Sequence, residues 1–258
     1  MKLSGRTGIV TGVAGPKGMG YASAQKLAAE GAVLVIADIS SEVNERAQEL
    51  KNSGFNATAF RLDLTKFSEV KSMVDEKLSK CGHIDILANV AGIGPRGSAD
   101  TGGLGKRFVD LSEQEWQTQL DINLRTVYNC TKAVLPIMIK QNYGRIINMS
   151  SVTGPLVSNP GTSAYSAAKG AVSALTKALA LEVAEYHITV NAVAPGWIHT
   201  GSTRESEFKA SLATPMKRAG EPEEVANLIS FLASDESSYI TGHNIVIDGG
   251  NILQEDKS

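Results

Sequence analysis

Apolar runs and helical segments alternate along most of this chain, and this alternation limits the folds that it can adopt. The first run, Thr7-Gly8-Ile9-Val10, is followed by a glycine-rich turn and an alanine-rich segment that is predicted to be a helix. Further apolar runs occupy residues 33–37, 57–62, 84–88, 144–149, 188–194 and 244–247, with helical segments between them. Strands that alternate with helices are typical of a parallel, doubly wound sheet with helices on both faces. We therefore predict one α/β domain over residues 1–258, with about seven strands.

The turn after the first strand contains four glycines within nine residues, namely Gly12, Gly15, Gly18 and Gly20. Glycine allows positive φ angles and a close approach of the backbone to a ligand, and amides at a helix N-terminus attract phosphate groups. The turn is therefore predicted to bind the phosphates of a nucleotide cofactor.

Asp38 follows the second strand and is a candidate to bind the ribose of that nucleotide. A carboxylate there accepts hydrogen bonds from both adenosine ribose hydroxyls and repels a 2′-phosphate, so it favours NAD over NADP. The alternative is that Asp38 only starts the following turn and caps the helix near Ser41. Ligands bind at the carboxyl ends of parallel strands, and each of the marked turns lies at such an end.

Tyr165 and Lys169 are four residues apart in a predicted helix, so their side chains lie on the same face. A nearby ammonium group favours the phenolate and lowers the tyrosine pKa, which makes Tyr165 a candidate proton donor and acceptor. For this spacing alone, a chance surface pair is the alternative. The serine pair Ser150-Ser151, delivered by the fifth strand, favours the functional interpretation.

Composition argues against several classes of partner. The formal net charge is −2 and no concentrated basic surface is evident, which disfavours nucleic acid and anionic membranes. No apolar run approaches the roughly 20 residues that a membrane-spanning helix needs, and the N-terminus lacks an apolar signal core. No histidine cluster suggests a metal. We expect a cytoplasmic protein that binds no metal.

Several motifs occur in a fixed order along nearly the whole chain. They are Thr11-Gly12 with Gly18-x-Gly20, Asp63, Asn89-x-Ala91-Gly92, Asn123, Ser151, Tyr165-x-x-x-Lys169, Pro195-Gly196 and Asp248-Gly249-Gly250. With this set the chain resembles the short-chain dehydrogenases/reductases, which share a single Rossmann-like domain. The resemblance implies direct hydride transfer between a substrate carbon and a nicotinamide cofactor.

The resemblance also implies a catalytic tetrad, Asn123, Ser151, Tyr165 and Lys169. Ser151 would hydrogen-bond the substrate oxygen, and Tyr165 would exchange a proton with it. Lys169 would lower the pKa of Tyr165 and hold the nicotinamide ribose, while Asn123 would order a water that joins the lysine to solvent.

A set of cofactor contacts follows from the same resemblance. These residues are Gly12, Gly15, Lys17, Gly18, Met19, Gly20, Asp38, Ile39, Asp63, Leu64, Asn89, Ala91, Gly92, Tyr165, Lys169, Pro195, Gly196, Ile198 and Thr200. The glycine turn departs from the usual family pattern, because two extra residues separate Gly12 from Gly18. Lys17 is of a kind that often accompanies NADP use in relatives, whereas Asp38 repels a 2′-phosphate. We expect NAD, with NADP as the alternative.

Residues 93–110 are rich in glycine, lack periodicity and lie next to the expected substrate pocket. Long loops of this kind are usually functional or disordered. We hypothesise that Arg96, Lys106 or Arg107 binds an acidic or polyhydroxylated substrate; the alternative is a solvated loop that touches nothing. Further candidates for the substrate pocket are Val152, Trp197 and His199.

Three functions compete. The first is an NAD-preferring oxidoreductase for a small secondary alcohol, sugar or ketone. The second is an NADPH-dependent 3-oxoacyl-thioester (ACP) reductase, because residues 215–222 resemble those proteins. The third is a catalytically silent dinucleotide-binding scaffold or regulator. Alanine on all sides of the helix that carries Tyr165 predicts that its outer face also packs, which indicates a homodimer or homotetramer.

Overall fold

The computed structural model describes residues 1–92 and 105–255. The strands are β1 (Thr7–Thr11), β2 (Val33–Asp38), β3 (Ala57–Arg61), β4 (Ile86–Asn89), β5 (Gly144–Met149), β6 (Ile188–Pro195) and β7 (Asn244–Ile247). They form one seven-stranded sheet in the order β3-β2-β1-β4-β5-β6-β7, and every pair is parallel. The predicted α/β class with a doubly wound parallel sheet is confirmed.

Helices cover both faces of this sheet. They are α1 (Met19–Ala29), α2 (Val43–Asn52), α3 (Phe67–Cys81), α4 (Glu113–Leu120), α5 (Thr126–Gln141), α6 (Ser163–Val183), α7 (Glu205–Ser211) and α8 (Pro222–Leu232). Within residues 1–92 and 105–255, none is both long and apolar enough to cross a membrane.

The two faces of the sheet bury separate apolar cores, because successive strand residues point to opposite sides. Leu34 and Ile36 of β2 pack in a core with residues of α1, α2 and α8. Val35, between them, packs in the other core with residues of α3, α5 and α6. Burial on both faces explains why the strands are nearly continuous apolar runs.

The sequence Ser112-Glu113-Gln114-Glu115 resembles a capping box and predicts a long helix to about Lys140, but this helix is interrupted. The capping box between Ser112 and Glu115 is present, and α4 ends at Leu120. A π-helical turn, Asp121–Arg125, separates it from α5. Within that turn the Asn123 amide donates hydrogen bonds to the main-chain and side-chain oxygens of Gln119, at 3.2 and 3.1 Å. α5 then runs as one helix through Pro136.

Two further segments differ from the sequence prediction by more than one residue. The fourth strand begins at Ile86 rather than at residue 84, because the Gln141 side chain accepts from the Ile84 amide and donates to its carbonyl. Residues 197–213 read in the sequence as a short polar segment without a helix, but they contain α7. The backbone groups of Ile84 are hydrogen-bonded by the side chain of Gln141, which is distant in sequence. No local sequence pattern can therefore predict where this strand begins.

Candidate active site

The centre of the candidate site is a buried cluster on α6 and at the end of β5. Tyr165 and Lys169 project from α6 and are 6% and 3% exposed, while Ser151, just after β5, is 8% exposed. The Ser151 side chain lies close enough to the Tyr165 phenol to lower its pKa, and the Lys169 ammonium lies 5.8 Å from the centroid of the tyrosine ring. The structure therefore brings together three of the four residues of the predicted tetrad.

Burial dominates the protonation of the tyrosine and the lysine. It raises the pKa of Tyr165, against a smaller lowering by the hydrogen bond with Ser151. It also lowers the pKa of Lys169 to about 8. The Lys169 ammonium donates to the Met149 carbonyl at 2.8 Å. The direction for Tyr165 is opposite to the lowering expected from the sequence, because desolvation disfavours the phenolate and the lysine is held by a carbonyl of β5.

Asn123, the fourth member of the tetrad, meets Lys169 at Gly92. A Cβ on Gly92 would lie 2.9 Å from Asn123 Oδ1 and 3.3 Å from Lys169 Nζ. Asn123 itself is fully buried. The π-helical turn thus brings the amide oxygen of Asn123 close to Gly92, which the Lys169 ammonium group also approaches, and a side chain on residue 92 would crowd both.

The glycine turn is packed so closely that it needs glycine at two positions. Gly12 has φ +75°, and a Cβ there would lie 2.7 Å from Ala91 Cα. A Cβ on Gly20 would overlap the Gly12 carbonyl oxygen. The turn is fixed to the end of β4 by the Thr11 hydroxyl, which accepts from the Val90 and Ala91 amides at 3.0 Å each.

The rest of the turn leads into the N-terminus of α1. Gly18 donates to the Gly15 carbonyl at 3.0 Å, and Met19 is the first residue of the helix. Gly18 is the N-cap residue, and as a glycine it has no side chain that could cap the first amides of α1. Amides of a first helical turn without such a cap are suited to bind an anion. The structure therefore supports a phosphate-binding role for this turn, with Lys17 exposed on it.

Asp38 lies beside that turn, at the end of β2. One carboxylate oxygen accepts from the Ala14 amide and the other from the Ser40 amide, both at 3.0 Å. The alternative role as a turn former is thus real, and each oxygen keeps further acceptor capacity for a ribose hydroxyl. The next residue, Ile39, is 65% exposed and adds an apolar side chain to the surface beside this carboxylate.

Three other predicted cofactor residues make contacts that hold the loops. Asp63 accepts from the Thr65 amide and hydroxyl, and the Leu64 carbonyl accepts from the Asn129 amide. The Asn89 side chain is directed into the sheet, where its Nδ2 donates to Asn148 and Thr131. Asn89 Oδ1 is buried without a hydrogen-bond partner in the described residues.

Segments after β5 and β6 border the cluster. The Val152 amide donates to the Pro195 carbonyl, and Gly196 donates to the Ile247 carbonyl of β7. A Cβ on Gly196 would lie 2.6 Å from Asp248 Cβ, which explains the glycine there.

The segment after Gly196 carries the remaining candidates on that side. Ile198 forms a bridge with Gly220, whose amide donates to the Trp197 carbonyl. The Thr200 amide is fixed by the Thr203 hydroxyl at 2.8 Å. The His199 ring packs against Phe208 of α7, with centroids 5.8 Å apart. This segment therefore joins α7 to the site.

The three basic residues that were predicted to bind the substrate have different surroundings. Arg96 lies outside the described residues. Lys106 is ion-paired with Glu115, so its charge is already engaged. Arg107 lines a groove of about 270 Å³ together with Phe108 and the segment over residues 158–163.

Sequence reasoning missed the polar residues that support the cluster. Ser150 donates to the Lys169 carbonyl and contacts Ser173, so the first serine of the pair braces α6 while the second contacts the tyrosine. Asn148 bridges Asn89 and Thr176 within the sheet. Buried polar residues on strands were the signal that could have identified them.

This arrangement defines a class of protein. The phenol of Tyr165, the ammonium group of Lys169 and the hydroxyl of Ser151 share a buried site. The carboxyl end of β1 leads into a turn in which Gly12 and Gly20 leave no room for a side chain, and the N-cap residue of the following helix α1 is a glycine. These features are those of a dinucleotide-dependent oxidoreductase.

Comparison with known proteins identifies the family. The family model described as Enoyl-(Acyl carrier protein) reductase matches residues 12–251. Oxidoreductase UcpA of Salmonella typhimurium is 42% identical, over 100% of this chain and 98% of its own length. The 3-oxoacyl-[acyl-carrier-protein] reductase FabG of Thermotoga maritima is 40% identical, over 98% of this chain and 100% of its own. The crystal structure of levodione reductase superposes with a TM-score of 0.89 at 32% identity, covering 97% of this chain and 99% of that one.

The chain belongs to the short-chain dehydrogenase/reductase family and is an NAD(P)-dependent oxidoreductase. The residues present fit such a cofactor, because the glycines let the turn pack its backbone against the end of β4 and the start of α1, and the N-cap residue Gly18 has no side chain to occupy the first amides of α1.

Proposed function

We propose that this chain is an NAD-preferring oxidoreductase that interconverts a small secondary alcohol, or a hydroxyl group of a sugar, with the corresponding ketone. The observation that carries the proposal is the buried contact between the Tyr165 phenol and the Ser151 hydroxyl. Two hydroxyl groups so placed can hold one substrate oxygen and exchange a proton with it.

In this mechanism the nicotinamide cofactor supplies or accepts the hydride. The Ser151 hydroxyl hydrogen-bonds the substrate oxygen and orients it towards the phenol. Tyr165 donates its proton to that oxygen during reduction and takes it back during oxidation. Because burial keeps the phenol protonated in this structure, the tyrosine is ready to act as an acid.

Lys169 and Asn123 act behind the tyrosine in this proposal. The charge of Lys169 favours the phenolate when Tyr165 has given up its proton, which lowers the energy of that state. Asn123 Oδ1 and the Lys169 ammonium group both lie close to Gly92, so Asn123 is placed to hold a water that carries protons between the lysine and solvent.

The preference for NAD rests on Asp38. Its carboxylate is held at the end of β2 by two backbone amides, so it cannot swing away from an incoming 2′-phosphate without losing both hydrogen bonds. A fixed carboxylate accepts hydrogen bonds from ribose hydroxyls and repels a phosphate.

A fluorescence titration of the purified protein with NADH and, separately, NADPH tests this preference. We expect the dissociation constant for NADH to be lower by about tenfold or more, which corresponds to about 1.4 kcal/mol. Turnover of secondary alcohols and sugars with NAD then identifies the substrate class. Tighter binding of NADPH would contradict the proposal.

The second candidate, a 3-oxoacyl-thioester reductase, is favoured by one observation. The FabG protein of Thermotoga maritima is 40% identical over its whole length. Tighter NADPH binding together with reduction of a 3-oxoacyl thioester would place this function first.

We also propose that the chain forms a homodimer or homotetramer through the outer face of α6. Leu181 on this face is 83% exposed, and Ala174 and Ala178 beside it are exposed as well. Small residues next to a large apolar side chain allow close helix packing.

Sedimentation velocity at micromolar concentration is expected to give a dimer or tetramer. Leu181→Glu should shift it to the monomer, because it places a charge in the packed face. Leu253→Glu, at an equally exposed apolar residue outside α6, is the matched control. A monomeric wild-type protein would contradict the oligomer.

A further inference from the structure

Arg61 is a cation beside the proposed adenosine site that the sequence did not single out. It is the last residue of β3 and pairs in register with Asp38, the last residue of β2. Residues paired in register on neighbouring parallel strands direct their side chains to the same face of the sheet. Arg61 and Asp38 therefore lie side by side at the edge where ligands bind.

The guanidinium group is oriented by one contact. Arg61 Nε donates to the Ile39 carbonyl at 3.2 Å, and Ile39 directly follows Asp38. Among residues 1–92 and 105–255, Arg61 makes no ion pair within 4.0 Å, and its two terminal nitrogens have no hydrogen-bond partner. Arg61 is also exposed. The two terminal nitrogens of its guanidinium group are thus available as hydrogen-bond donors next to the turn that follows β2.

The carboxylate of Asp38 is less repulsive here than an isolated one. Each of its oxygens accepts from a backbone amide, Ala14 on one side and Ser40 on the other. Arginine binds phosphate oxygens through two parallel hydrogen bonds. Because Nε is engaged by the Ile39 carbonyl, the terminal nitrogens are the ones left for an anion.

We propose that Arg61 is a specificity-determining residue that binds the 2′-phosphate of NADP(H), so that this site takes NADP(H) as a second cofactor while Asp38 keeps NAD(H) preferred. The inference rests on the cofactor site proposed above. Lys17 is another exposed cation of this region, but its ammonium group is a point charge on a flexible stem and makes no hydrogen bond or ion pair within residues 1–92 and 105–255. Arg61 is anchored at the segment that would hold the ribose.

Titrations of NADH and NADPH with the wild-type protein and Arg61→Met test the proposal. We expect measurable NADPH binding to the wild type, weaker than that of NADH. Arg61→Met should raise the NADPH dissociation constant by about tenfold and change that of NADH less than about twofold, since only NADPH carries the phosphate. Arg61→Lys should fall between the two, because it keeps the charge without the fork.

Two further comparisons separate this role from a structural one. Lys140→Met, which removes an exposed cation at the end of α5, should leave both dissociation constants unchanged. Titration with 2′,5′-ADP and with AMP should reproduce the selective loss in Arg61→Met, since these probes differ by the 2′-phosphate. The wild-type affinity for NADPH should also fall more steeply with added salt than the affinity for NADH.

The outcomes distinguish failure of the inference from failure of the proposed function. An equal loss of NADH and NADPH binding in Arg61→Met would show that Arg61 only holds the turn at Ile39. Unchanged binding of both, or no NADPH binding to the wild type, would also overturn the inference while leaving an NAD-dependent enzyme. No binding of either cofactor to the wild type would overturn the proposed function itself.

Discussion

Replacing Tyr165 by phenylalanine is expected to lower the turnover number by about 10²- to 10⁴-fold, the range that a positioned acid or base contributes. The ring is only 6% exposed, so phenylalanine fills the same space and removes only the hydroxyl that contacts Ser151. NADH affinity should change by less than about threefold, because the glycine turn and Asp38 are untouched. Steady-state kinetics and a fluorescence titration on the same preparation measure both quantities.

Tyr143→Phe is the matched control for this experiment. Its hydroxyl donates to Asp235 at 2.9 Å, just before β5 begins and therefore at the opposite edge of the sheet from Ser151. Removal of that hydroxyl should leave turnover within about twofold of the wild type, because it costs one exposed hydrogen bond far from the site. Wild-type turnover in Tyr165→Phe would mean that another group supplies the proton, and the proposed mechanism would be wrong.

Lys169→Met is expected to slow turnover and to stabilise the fold. Burial lowers the pKa of Lys169 to about 8 from its ordinary value of 10.5. At pH 7 this difference disfavours the native state by about 3 kcal/mol. Loss of the hydrogen bond to the Met149 carbonyl offsets about 2 kcal/mol, because its donor is charged. The variant should therefore gain about 1 kcal/mol in the free energy of unfolding, while turnover falls by about 10²-fold.

The pH dependence of this gain follows from the direction of the pKa shift. Between pH 8 and 10.5 the unfolded chain holds the Lys169 proton while the native state has lost it, so wild-type stability rises with pH. Below pH 8 both states are protonated and the penalty is constant. The stability difference between Lys169→Met and the wild type should thus be largest at and below pH 8 and should close as the pH approaches 10.5.

Urea unfolding of both proteins at pH 7 and pH 10 measures this difference. Lys132→Met, at an exposed lysine on α5, is the control and should stay within about 0.5 kcal/mol of the wild type at both pH values. A Lys169→Met protein that is less stable than the wild type at pH 7 would contradict the expectation, since it would show that the contacts of the lysine outweigh its desolvation.

Much of the fold could be predicted because its signals are local. The apolar runs of the strands, the four glycines between Gly12 and Gly20, and the capping box at Ser112 each concern residues within one turn or strand. The parallel topology then follows from the alternation of strands and helices. Tyr165 and Lys169 lie on one face of one helix, so their pairing was also a local property.

The sequence by itself determined the fold class, the position of the glycine turn and the pairing of Tyr165 with Lys169. Only the tertiary structure decided that Lys169 is held by the Met149 carbonyl, that a π-helical turn brings Asn123 to Gly92, and that Arg61 lies beside Asp38. Each of these depends on which strands and helices become neighbours and on how deeply they are buried. Helical and strand periodicity report on one element at a time, whereas desolvation and contacts between elements arise only when the elements pack.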